Sequence, residues 1–343
     1  MRMSIASMGD EPGSRYLERV KLAEQLGFHA MFHNDKKWAR DVFVRLGAAT
    51  QATTRIGLGT SVIDPYTRHA ALLAQAAATL AELAPGRFRA VMGSGSHFET
   101  LPGYSNRKPV AGLREATDLM KRLWQGEKVT IDGDVVKFKG GTLDWKPTTI
   151  PPLYIASRGP QILKMAGEVA DGVLVGSFAT KAGLEYAKQH IEKGLQIAKR
   201  GWSDIQLCSW IYVSVLDHAD DEIPEGVKRG VSFAFWSSRD VLTEMADRLT
   251  SDMTDEFRTF LRDTPNDWSP PIMAELRRLI PRGILDSLAL VGTADQIVAR
   301  LKELEHVGVQ EVVIWPFPAQ GQSVEDMMAR LAKDVLPRVS LQA

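Results

Sequence analysis

The sequence predicts an α/β fold, a (β/α)8 TIM barrel with a helical insertion before the last β/α unit, the chain (1–343) forming one domain. Three observations lead there. A unit of amphipathic helix, glycine and short apolar strand recurs along the chain. Eight strand-like segments separated by helical stretches fit right-handed parallel β/α units. A doubly wound sheet would usually place a G-x-G-x-x-G loop after its first strand, and Ser7-Met-Gly-Asp-Glu-Pro-Gly13 does not supply one.

The expected strands are Ser4–Met8, His29–His33, Ile56–Thr60, Phe88–Gly93, Leu153–Ala156, Gly172–Gly176, Gln206–Val215 and Val312–Trp315. Between the first two, Tyr16, Val20, Ala23 and Leu26 recur at three- and four-residue steps, and Gly27 suits the left-handed position after a helix. Leu72, Ala76 and Leu80 form a stripe expected to face the core. Gly126–Trp145 alternates Val129, Ile131, Val135 and Phe138 with polar residues around Asp132-Gly133, the pattern of a hairpin. Asp217–Ile284 is charged and carries five prolines, yet is too rich in Phe, Trp and Leu for a disordered linker. It reads as the helical insertion (217–284), set over the barrel mouth. Ile297, Leu301 and Leu304 then mark a helix that ends at Gly308, before the last strand. Trp210 and Trp315, on the last two strands, are expected in the barrel core.

Composition narrows the function. Hydrophobic residues make up 44% of the chain, enough for a large core. Lys plus Arg and Asp plus Glu both number 42, a balance that argues against a nucleic-acid or membrane-surface binder. The one cysteine, Cys208, cannot form an internal disulfide, and no Cys/His spacing suggests a metal site. The start of the chain reaches Asp10 and Glu11 without a long apolar run, and no stretch is apolar enough to span a bilayer. A cytoplasmic protein is expected.

The candidate site residues stand at strand ends, where barrel chemistry sits. Strand two ends in Asn34-Asp35, followed by Lys36-Lys-Trp-Ala-Arg-Asp41. Asp35 is a loop cap or an active carboxylate; Lys36 is a solvated lysine or a cation for an anionic ligand. Strand three breaks at Gly59-Thr-Ser-Val-Ile-Asp-Pro65, which by itself reads as a buried strand ending in a turn. Strand four enters Met92-Gly-Ser-Gly-Ser-His-Phe-Glu99, a glycine-rich loop whose N–H groups can approach a ligand. Strand five gives Ser157-Arg-Gly-Pro-Gln161. Pro160 suits the first turn of a helix, whose free N–H groups and dipole favour an anion, and Ser157 and Arg158 add a hydroxyl and a planar cation.

Taken together, these segments resemble the bacterial-luciferase-like flavin and deazaflavin oxidoreductases, above all the methylene-tetrahydromethanopterin reductase-like branch that uses coenzyme F-420. The match covers most of the chain. It is strongest over Gly27–Trp124 and Leu153–Val175, and includes Ala-Gly-Glu-x-Ala-Asp-Gly from Ala166. The resemblance implies a non-prolyl cis peptide at Ser61-Val62 supporting the cofactor ring, with Gly93, Ser94, Gly95 and Ser96 along the cofactor. It puts Ser157, Arg158, Gly159, Pro160 and Gln161 beside it, with Arg158 and the helix start on its phosphate. Asp35 fits the family pattern as a cofactor and catalytic residue, and Lys36 and His97 complete the catalytic candidates. Lys36 stands where relatives place a histidine, so electrostatic work rather than proton transfer is expected of it. Arg68 and His69 match the family pattern too, and could equally fix a helix start. The first strand lacks the glutamate found in some methanopterin reductases, which puts that exact pterin substrate in doubt.

The function implied is hydride transfer between a deazaflavin and a small organic substrate. An FMN-dependent monooxygenase with a partner reductase, a non-catalytic cofactor-binding protein and a barrel enzyme without a redox cofactor are the alternatives. By the same resemblance the protein is a homo-oligomer, a dimer, with no nucleic-acid or membrane partner.

Overall fold

The computed structural model describes residues 1–95 and 108–339. Its strands are β1 (Arg2–Ser7), β2 (Ala30–His33), β3 (Gly57–Thr60), β4 (Phe88–Met92), β5 (Val129–Asp132), β6 (Lys137–Gly141), β7 (Leu153–Ser157), β8 (Gly172–Gly176), β9 (Gln206–Val215), β10 (Ala289–Gly292) and β11 (Glu311–Pro316). The main sheet runs β10-β9-β11-β1-β2-β3-β4-β7-β8, and β8 pairs back onto β9. Eight parallel strands therefore close into a TIM barrel, and β10 pairs with the C-terminal half of β9. The hairpin β5-β6 is antiparallel, as expected.

Helices fill the connections: α1 (Gly13–Gln25), α2 (Val42–Ala52), α3 (Ala70–Leu83), α4 (Pro109–Trp124), α5 (Pro160–Val169) and α6 (Lys181–Ile197). Then come α7 (Glu225–Ser237), α8 (Arg239–Leu249), α9 (Asp255–Asp263), α10 (Pro270–Leu279), α11 (Arg282–Leu288) and α12 (Ala294–His306). Among the described residues, no helix is long and apolar enough to cross a membrane.

The packing divides into two compact units, 4–174 with 190–206, and 1–3 with 175–189 and 207–343. In the first, β1, β2, β3, β4 and β7 run parallel, with Ser7 opposite His33, His33 opposite Thr60, Gly59 opposite Arg89 and Met92 opposite Ile155. Both faces of these strands are covered, so they are apolar runs rather than alternating ones. Ile5, Met31, Leu58 and Val91 are fully buried. Gly59 is required there, because a Cβ would stand 2.5 Å from the Phe32 ring.

Helix α3 corrects one expectation. Leu80 is buried as expected, but Leu72 is 59% exposed, while Leu73, Ala74, Ala77 and Ala78 face the core. The helix is apolar nearly all round, so periodicity alone does not single out its inner face.

In the second unit, β9 pairs with β11 along Cys208–Val213 and with β10 along Tyr212–Val215. The insertion holds α7 to α10 and the start of α11. It has its own core, with Phe235 against Phe257 and the Trp236 indole donating to the Asp267 carbonyl at 2.8 Å. Trp210 and Trp315 are half-buried rather than sealed in a core, and with Tyr212 and Phe317 they form an aromatic cluster.

Helices α5 and α6 approach closely through two glycines. A Cβ on Gly194 would lie 1.9 Å from the Lys164 carbonyl oxygen, and one on Gly167 would lie 2.2 Å from that of Ile191. Gly194→Ala should therefore lower the unfolding free energy by about 1–3 kcal/mol through overpacking, despite the better helix propensity of alanine. Gly47→Ala, on α2 with nothing within 4 Å of the new Cβ, should instead stabilise by up to ~1 kcal/mol. Urea unfolding of both variants checks the opposite signs.

Candidate active site

The site grows from the edge where β2, β3, β4 and β7 end together. Their neighbouring order puts the outermost two only three strand spacings apart, about 14 Å. Asp35, Ser61, Gly93 and Gly159 all leave from this edge.

At Ser61 strand β3 breaks from the ladder, and its backbone groups are satisfied another way. The Ser61 N–H donates to the His33 carbonyl (2.8 Å), that of Ile63 to Val91 (3.1 Å) and that of Gly93 to Ile63 (2.9 Å). The Thr60 hydroxyl fills the gap, donating to the Val91 carbonyl and accepting from its N–H. Between these contacts the Ser61-Val62 peptide is cis, as expected. Val62 lies over Gly93, where a Cβ would meet its Cγ2 at 2.9 Å and the Ala156 oxygen at 3.4 Å. The Ser61 hydroxyl is buried with no hydrogen-bond partner among the described residues.

Beside this bulge lies a network of charges. Asp35 accepts from Arg68, whose other branch reaches Asp41 at 2.7 Å. Asp41 in turn caps α2, accepting from the Phe43 and Val44 N–H groups. Burial acts to raise the Asp41 carboxyl, but those bonds and Arg68 hold it below the ordinary carboxylate value. Asp64 accepts from the Tyr66 and Thr67 N–H groups and from Lys37 Nζ at 2.6 Å. Lys37 also lies 3.5 Å from Asp35. Lys36, by contrast, pairs with Asp10 at 2.9 Å, the two side chains being 39% and 58% exposed. The structure thus brings Asp35 into the network through Lys37 rather than through Lys36, a distinction that two adjacent lysines in a loop do not reveal. His69 caps α3: Nδ1 accepts from the Ala71 N–H, which leaves the Nε2 proton to donate to the Lys137 carbonyl.

Helix α5 begins as its sequence suggests. Pro160 is in its first turn, and Gly159 supplies no side-chain cap. The Ser157 hydroxyl accepts from the Gly159 N–H at 3.0 Å. The N–H groups of Gln161 and Ile162 have no intrahelical acceptor, with Arg158 half-buried beside them. Gly95 has φ +67°, a value glycine adopts without strain. Ser96 and His97 lie outside the described residues. Among the described residues, no group of His, Cys, Asp or Glu could hold a metal ion.

A second buried cluster was not singled out in the sequence. Ser7 donates to Glu11 at 2.8 Å, and Glu11 pairs with Arg19 (3.3 Å) and Arg45 (3.5 Å). Burial acts to raise the Glu11 carboxyl, but a backbone hydrogen bond, Ser7 and the two arginines bring it below its ordinary value. Arg45 lies over the Tyr16 ring, which meets His33 edge-on at 4.8 Å. Neither His33 ring nitrogen has a hydrogen-bond partner among the described residues. Burial, helped by Arg45, pushes His33 down to about 4. The available signal was a histidine closing an otherwise apolar strand.

The chain matches the luciferase-like monooxygenase family over residues 2–311. It is 31% identical to 5,10-methylenetetrahydromethanopterin reductase of Archaeoglobus fulgidus over 336 residues, 96% of this chain and 97% of that one. A second relative, the coenzyme F-420-dependent glucose-6-phosphate dehydrogenase of Beutenbergia cavernae, is 40% identical over 166 residues, 45% of this chain and 49% of that one. Among solved structures, the coenzyme F-420-dependent tetrahydromethanopterin reductase of Methanopyrus kandleri superposes with a TM-score of 0.79 at 24% identity, over 99% of each chain.

His33 gives a pH test. Unfolded, the ring takes a proton near its ordinary value of 6.5; folded, it refuses one until about 4. Between these values the unfolded chain holds more protons, so stability is full above 6.5 and is lost as pH falls toward 4. The loss from this group should reach up to about 3 kcal/mol. Urea melts at pH 7, 5.5 and 4.5 should show that decline in the parent and a flatter profile in His33→Leu.

Proposed function

The chain belongs to the luciferase-like monooxygenase family, and from that premise we propose that it is a coenzyme F-420-dependent oxidoreductase that transfers a hydride to or from a small organic substrate. The single observation that carries this reading is the meeting, on one barrel edge, of a glycine-cleared bulge and an anion-ready helix start. The bulge offers a buried hydroxyl, Ser61, that lacks a partner among the described residues. The helix start offers uncapped N–H groups with Ser157 and Arg158 alongside. Such a pair of features fits a cofactor that is planar at one end and phosphorylated at the other. Relatives named for coenzyme F-420 support the choice of deazaflavin over FMN.

The bound deazaflavin would supply two-electron hydride chemistry at its ring C5. The protein supplies position and charge. In this reading Ser61 and Val62 support the ring, with Gly93, Ser94 and Gly95 alongside it. Arg158 and the residues Gly159 to Gln161 hold the phosphate. Asp35, fixed by Arg68 and Lys37, meets the polar edge of the ring or the substrate. Lys36, committed to Asp10, is given no cofactor contact. Strand β1 carries no carboxylate, and Glu11 beyond it is committed to Arg19 and Arg45, so we assign no pterin substrate to the site. We place the enzyme in the cytoplasm as a homo-oligomer, a dimer by its family resemblance.

Fluorescence titration of the purified protein with coenzyme F-420 and with FMN tests the reading. Tight binding of coenzyme F-420 and weak binding of FMN is expected; the opposite order would move the assignment to an FMN-dependent monooxygenase. Arg158→Ala should weaken coenzyme F-420 binding by about 1.5–3 kcal/mol, the loss of a charge-assisted hydrogen bond, and an unchanged Kd would assign Arg158 to structure.

A further inference from the structure

We propose that Lys37 is a positioning residue of this site. Its ammonium locks the loop after β2 to the turn after β3, which fixes Asp35 and the Ser61-Val62 peptide in one frame; the consequence for the cofactor rests on the function proposed above.

The geometry is reciprocal. Lys37, from the β2 loop, reaches Asp64 in the β3 turn at 2.6 Å. Arg68, from the β3 turn, reaches back to Asp35 in the β2 loop. Lys37 closes the ring by standing 3.5 Å from Asp35 as well. Two cations thus cross the same gap in opposite directions.

Burial makes the Lys37 contact decisive. The Asp64 side chain is 0% exposed, that of Asp35 6% and that of Lys37 10%. A carboxylate sealed this far from water needs a cation or several hydrogen bonds, and an ion left without its partner is strongly destabilising. Asp64 shapes its turn by accepting from the Tyr66 and Thr67 N–H groups and the Thr67 hydroxyl. Among the described residues its one cation is Lys37. Arg68 cannot replace it, because its two branches are taken by Asp35 and Asp41. The turn that Asp64 organises follows directly on Ser61-Val62-Ile63, so whatever holds Asp64 also limits where that peptide stands. Lys36 offers no such leverage, since an exposed pair such as its contact with Asp10 contributes little.

The test uses the full chain as the parent, Lys37→Met, Lys37→Arg and the double variant Lys37→Met/Asp64→Asn. Two quantities are read: amide hydrogen exchange without cofactor, and the Kd for coenzyme F-420. Lys37→Met should speed exchange at least tenfold within 34–38 and 64–68 and weaken coenzyme F-420 binding at least tenfold. Lys37→Arg should recover most of both. The double variant, which leaves no stranded carboxylate at Asp64, should regain the parental melting temperature yet still bind coenzyme F-420 weakly, because Asp35 keeps only Arg68 and the Lys37 tie between the two loops is gone. Unchanged exchange in Lys37→Met, or parental affinity in the double variant, would overturn the proposal and leave Lys37 as a counter-ion only. If Lys37→Met does not fold, the double variant and Lys37→Arg decide by the same criteria. A parent that does not bind coenzyme F-420 would sink the proposed function, and the exchange comparison would still decide the latch.

Discussion

The need to keep every buried backbone group paired governs this site. A parallel ladder satisfies N–H and C=O groups only while the strands continue, and β3 stops inside the protein. The hydroxyl of Thr60, the carbonyl of His33 and the return of the chain at Ile63 take over where it stops. Without them the bulge could not be buried, and Ser61 could not present a hydroxyl beside an edge cleared of side chains. Gly93 belongs to the same constraint, because any Cβ there would occupy the place of Val62.

Charge is handled in two clusters that alternate with the pleat of β2. His33 points to one side, toward Tyr16 and Arg45, with Glu11 beyond. Phe32 points to the other side, where the Arg89 guanidinium lies over its ring at 4.9 Å. Past His33 the chain leaves the sheet and carries Asp35 into a third environment, set by Arg68 and Lys37. Phe32 and His33, neighbours on one short strand, therefore face a cation–ring contact and a buried charge cluster, and Asp35, just past the strand, enters an ion-pair network. A one-residue slip in register would exchange the two faces of Phe32 and His33.

Much of this was legible in the sequence, because the features involved are local. The eight barrel strands announced themselves as apolar runs, the break after Thr60 as a family motif, and the α5 start as serine, arginine, glycine and proline in order. The rest depended on partners distant in sequence. Strand β10 was missed because Ala289–Gly292 is four residues long and owes its conformation to pairing with β9. Lys36 and Lys37 are chemically identical in sequence, and only Asp10 and Asp64, on two other loops, separate an outward lysine from a buried one. Of the Leu72, Ala76 and Leu80 stripe only Leu80 is in the core, for the converse reason, since an alanine-rich helix offers several plausible inner faces.

The glycine contact between α5 and α6 has a mechanical side. An α-helix rises 1.5 Å per residue, so the first turn of α5 lies about 10 Å along the axis from Gly167. Gly167 then acts as a fulcrum, with the N-terminal turn of α5 at the end of the lever arm. A tilt of five degrees at the fulcrum would swing that end by roughly 1 Å, a displacement on the scale that can cost an enzyme a hundredfold in rate. The aim of the α5 dipole is thus set at the far end of the helix, by the absence of two methyl groups.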